Sequence, residues 1–91
     1  MKTSEFNNKQ SELLELLKKA QMIAAELSAS ESARQKEAER QSFECLDNDN
    51  EYRFKAACGV RQNASQNSSN LNATYNSIKN EIERIERVVI K

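Results

Sequence analysis

Leu71, Tyr75, Ile78, Ile82, Ile85 and Val89 recur at alternating spacings of four and three residues. That spacing is the a/d seam of a helix that packs lengthwise against other helices. Asn, Lys, Glu and Arg fill almost every position between them, so the opposite face is wet. Lys79–Glu83 and Glu83–Arg87 stand four apart and Glu81–Arg84 three apart, close enough for weak mutual support along one helix. A helix with so one-sided a stripe needs a partner to be stable.

The partner has to come from the same kind of structure. The chain has 91 residues, no Pro and a single glycine, Gly59. A sheet protein would need turn residues at every reversal, and they are missing. Charged residues make up 31% and aromatics 5%, which suits long thin helices rather than a thick core. At this length the chain forms one domain with a small core.

The first half carries its own apolar face. Thr3 or Ser4 is a plausible N-cap, with Glu5 in the first turn, where the helix dipole favours an acid. Phe6, Leu13, Leu16, Leu17, Ala20, Ile23, Ala24 and Leu27 then form a face wider than a two-helix seam, broadened by Leu14 and Met22. From Ser28 to Ser42 the apolar residues are only Ala29, Ala33 and Ala38, and the helix continues on local propensity. Asp47-Asn48-Asp49-Asn50 is the densest run of turn-favouring side chains. Asn48 followed by Glu51 resembles a capping box that opens a second helix.

Gly59 and the run Gln62 to Asn72 leave two readings open. Asn and Ser are poor helix formers, so a short helix could end at Gly59 and a polar loop follow. Against this, the seam extends backwards in phase from Leu71 through Ser68, Ala64, Arg61 and Ala57 to Phe54. In that phase Gly59 falls on the outer face. We read one domain over residues 1–91, with helix 1 about 4–46, a turn at 47–50 and helix 2 about 51–90, interrupted near 59–70 in the alternative reading.

Folded at the turn, residues 13–27 lie against residues near 70–84, on arms roughly 60–65 Å long at about 1.5 Å per residue. The fold expected is all-α, an antiparallel helical hairpin of coiled-coil-like helices. Two helices cannot cover both sides of each other's stripe. Leu14, Met22, Ile23, Val88 and Ile90 are left over, which predicts a homo-oligomer, a four-helix bundle, or capture of another protein's helices. The interface residues are Leu13, Leu16, Leu17, Ile23, Leu27, Leu71, Tyr75, Ile78, Ile82, Ile85 and Val89.

Catalytic machinery has little to build on. There is no His, the commonest acid–base and metal-ligand side chain. One glycine cannot build a phosphate-cradling loop. Cys45 and Cys58 lack companion soft ligands for zinc, so they read as small, partly buried, reduced thiols. No catalytic, cofactor or metal site is expected, and the chain is read as no enzyme. Asn63, Asn67 and Asn72 each open an N-glycosylation pattern, which a segment this rich in Asn and Ser generates by chance.

Lys plus Arg and Asp plus Glu both number 14, so no global attraction to nucleic acid or acidic membranes exists. Arg84, Arg87 and Lys91 share one face but are interleaved with Glu81, Glu83 and Glu86, and no aromatic platform accompanies them. No apolar run has the length of a membrane span and no signal-peptide build is present, which sets the expected compartment as the cytoplasm.

The functional expectation is a non-enzymatic module that binds a larger protein through helix–helix contacts, as adaptor, chaperone or stoichiometric inhibitor. Its candidate docking residues are Phe43, Leu46, Tyr52, Arg53 and Phe54, gathered around the turn, because aromatic and Arg side chains carry much of the energy at interfaces. Two alternatives stand beside it: a small RNA-binding homodimeric regulator, and an exported hairpin component of a bacterial secretion system. A short hairpin with a central turn resembles in architecture the secreted proteins of the type VII system. Their central Trp-x-Gly is absent here; Phe43-Glu44-Cys45 stands where it would fall and does not match it.

Overall fold

The computed structural model describes residues 1–88. They form two α-helices, α1 (Thr3–Asp47) and α2 (Glu51–Glu86), packed side by side as an antiparallel hairpin. The molecule is a rod, 69 × 14 × 14 Å. Val89, which the periodicity adds to the seam, and Ile90 lie outside the described residues.

The helix ends differ from the sequence reading. Neither Thr3 nor Ser4 caps α1: both are already helical, and Lys2 stands at the cap with no side-chain hydrogen bond. At the turn, Asn48 closes α1 rather than opening α2, its N–H donating to the Glu44 carbonyl at 3.0 Å. Asp49 then takes a left-handed φ of 55°, which short polar side chains tolerate better than bulkier ones. That residue reverses the chain. Asn50 becomes the N-cap, its Oδ1 accepting from the Arg53 N–H at 3.2 Å.

α2 runs unbroken through Gly59 and the Asn/Ser run. Gly59 is exposed, and a Cβ there would meet nothing within 4 Å. Phe54, Ala57, Arg61, Ala64, Ser68, Leu71, Tyr75, Ile78, Ile82 and Ile85 all turn toward α1 and are buried or half-buried. Tertiary packing along one phase thus overrides poor local propensity.

On α1 the inward phase holds a surprise. Leu14, Leu17, Gln21, Ala24, Ser28, Glu31, Gln35, Ala38, Ser42 and Cys45 line it, at the same alternation of three and four. Leu14, which the sequence left over, is in the seam. Leu13, Leu16, Ile23 and Leu27 are not; each is exposed on the hairpin. Among the described residues the buried positions are mostly small: Ala24, Ser28, Ala38, Ser42, Ala57 and Ala64, with Ile82 as the one large member.

Polar ties across the seam fix the register. Ser28 Oγ donates to Asn72 Oδ1 at 3.2 Å, and Ser32 and Ser68 share a hydrogen bond of 3.0 Å. At the open end Gln10 Nε2 donates to the carbonyls of Ile85 at 2.6 Å and Val88 at 2.9 Å. Ile85 lies in the last turn of α2, where its carbonyl also accepts from the Val88 N–H at 3.0 Å, and Val88 follows the helix. Among the described residues no buried side-chain nitrogen or oxygen is left without a partner.

Candidate interaction surfaces

A straight hairpin buries one stripe of each helix and leaves everything else to solvent, so its chemistry is that of its surfaces. Ion pairs along them are local. Lys9–Glu12, Arg34–Glu31, Lys55–Glu51 and Arg84–Glu81 close at 3.3, 2.9, 3.7 and 2.8 Å. Lys79–Glu83 and Glu83–Arg87, available by spacing, do not close among the described residues. Arg40 holds both Glu37 and Glu44. Its hydrogen bond to Glu37 sets that carboxyl below the usual range and raises the guanidinium in turn. These groups are bathed in water and act as a solvated face.

Cys45, in the inward phase of α1, and Cys58, next to Ala57, are free thiols, each half-buried. Among the described residues no group of three His, Cys, Asp or Glu side chains is placed to hold a metal ion. No described helix is long and apolar enough to cross a membrane.

Two exposed apolar surfaces remain. The first is at the turn. Phe43, Leu46 and Tyr52 all point outward, Tyr52 with 84% of its surface in water. An aromatic ring so exposed is not capping the helix ends. Phe54 is separated from them: it is half-buried in the seam and flanks a shallow groove with Cys45, Leu46, Asn50 and Lys55. Arg53 is exposed and borders a neighbouring groove that Arg40, Glu44 and Val60 share. Of the five residues around the turn, the fold therefore presents four and withdraws one.

The second surface runs along the open half of α1. Leu13, Leu16, Ala20, Ile23 and Leu27 repeat the alternation of three and four, one residue out of step with the inward stripe. Leu16 is 62% and Ile23 55% exposed. What looked in sequence like one wide apolar face is two interleaved seams about 100° apart. The signal was present in the spacing. α2 carries no second stripe: Thr74, Ser77, Glu81 and Arg84 occupy its exposed flank. Leu13 continues at the open end into a groove with Phe6, Ile85 and Val88.

Of the seam predicted from sequence, the structure thus brings Leu17, Leu71, Tyr75, Ile78, Ile82 and Ile85 together and holds Leu13, Leu16, Ile23 and Leu27 outside it. Gln10, which ties α1 to the end of α2 at the open end of the rod, carried no sequence signal, because a Gln on a helix is ordinary surface. Comparison of the chain with family models, characterised proteins and solved structures finds no match.

Proposed function

We propose that this protein is a non-enzymatic binding module, an adaptor, chaperone or stoichiometric inhibitor that engages a larger protein through its helical surfaces. The observation that carries the reading is the outward projection of Phe43, Leu46 and Tyr52 at the turn. Large apolar and aromatic side chains held in water at the end of a rod gain most by entering a partner's pocket. Arg53 beside them adds a charged group able to pair with a carboxylate on that partner. No catalytic group is needed for such a role.

The test separates docking from folding. Phe43→Ala with Tyr52→Ala should remove the protein that wild type retains from extracts of its native host. The thermal transition should stay nearly in place, because both rings are already exposed. A large fall in stability, with capture per folded molecule unchanged, would overturn the assignment of the turn as the docking end.

A further inference from the structure

We infer that the exposed stripe of α1 is the contact for a second copy of this chain, packed antiparallel to the first. Leu13, Leu16, Ala20, Ile23 and Leu27 form an a/d pattern that α2 only borders, Leu13 beside Ile85 and Val88 and Leu27 beside Leu71, while Leu16 and Ile23 stay more than half exposed. Such a strip exposes on the order of a few hundred Å² of apolar surface. Doubled by two-fold symmetry and flanked by aliphatic stems, it reaches the roughly 1,000 Å² that a specific interface needs.

Charge selects the arrangement. Lys19 and Glu26 flank the stripe on the side away from α2; both are exposed, and neither closes an ion pair within the described hairpin. Setting Ala20 of one copy against Ile23 of the other places Leu16 on Leu27 and Leu13 on Ser30. Lys19 then neighbours Glu26 of the other copy, and symmetry repeats the pair. Ala20 and Ser30 face Ile23 and Leu13, while Leu16 and Leu27 pack large on large between them.

Neighbouring registers fail. A slip that sets Ala20 against Leu16 brings Lys19 onto Lys19 and Glu26 onto Glu12. A slip the other way brings Glu26 onto Glu26 and sets Leu16 against Arg34. A parallel pair places Lys19 near Ala24, with no opposite charge in reach. Lys9 and Arg34 bound the apolar run on either side and end the seam there. Only the register centred between Ala20 and Ile23 joins apolar layers to opposite charges.

The stripe lies on the open half of the rod, away from the turn, so this inference stands or falls apart from docking there. Light scattering over a range of concentrations tests it. The wild-type chain should weigh twice its single-chain mass. Lys19→Glu or Glu26→Lys alone should raise the dissociation constant roughly tenfold, since two symmetric contacts turn from attraction to repulsion. The two together should restore it to within about threefold. Leu16→Asp with Ile23→Asp should leave a helical monomer with the hairpin's thermal transition retained. A single-chain mass at every concentration would overturn the inference. So would a dimer indifferent to the single charge changes, or one that the paired exchange fails to restore.

Discussion

The two halves of the rod are held by opposite means. Toward the turn, Ala38, Ser42, Ala57 and Ala64 are almost wholly covered, Ala64 to 0% exposure. Toward the open end, Leu14, Leu17, Tyr75, Ile78 and Ile85 are large but only half covered, and Ile82, at 6% exposure, is the large side chain most nearly buried among the described residues. Completeness of burial and energy gained by burial therefore part company. Covering an Ala removes one methyl from water, worth about 0.8 kcal/mol, whereas a Leu or Ile has about 1.5–3 kcal/mol to gain in full. A half-covered Leu contributes as much as a fully covered Ala. The turn half gains fit, since small side chains let the helices approach; the open half gains mass.

The strongest blow to this contrast falls on the open half. Ile78→Ala with Ile82→Ala should cost about 4 kcal/mol, read as a lower denaturant midpoint, because it removes the best-buried large side chain among the described residues and its neighbour. A change below about 1 kcal/mol would show that the small residues near the turn carry the hairpin. The next test inverts the chemistry. Ala64→Leu should destabilise by about 1–3 kcal/mol, because a close helix approach has no room for the added atoms. The same change at Ala29, which is exposed, should be nearly silent. Equal tolerance at both sites would mean that the turn half is not closely packed. The smallest effect has the opposite sign. Gly59→Ala should stabilise by about 0.5–1 kcal/mol, since the site is helical and open. No rise in the thermal transition would place this part of α2 outside the helix in solution.

The seam of α2 was legible from Phe54 to Ile85 because each position shares one phase, and Ala, Ser and Arg keep that phase where large residues run out. The hairpin and its turn followed from the Asp47–Asn50 cluster. The inward face of α1 was not legible in the same way. Hydropathy picks out the largest residues, Leu13, Leu16, Ile23 and Leu27, yet the face that meets α2 includes Gln21, Ser28, Gln35 and Ser42. Two adjacent stripes compete for one partner, and the choice is made by how the chain leaves the turn. That depends on Asp49 adopting a left-handed backbone and on Asn50 capping α2. The spread of Asx side chains over four positions left that division of labour open. At the turn itself, exposure sorted Phe54 from Phe43, Leu46 and Tyr52, a distinction that aromatic clustering in sequence cannot make.

The rod's proportions govern how its mass can be known. At 69 by 14 Å it is about five times as long as it is wide, and its radius of gyration is 20.5 Å. A compact chain of this length would have a radius near 12 Å. A slender particle tumbles and diffuses as though it were much heavier. On a sizing column calibrated with spheres, a single hairpin would elute early and pass for a pair or more. An early elution volume is therefore no sign of association for this molecule; scattered intensity or sedimentation equilibrium, which respond to mass and not to outline, are the measurements that count chains.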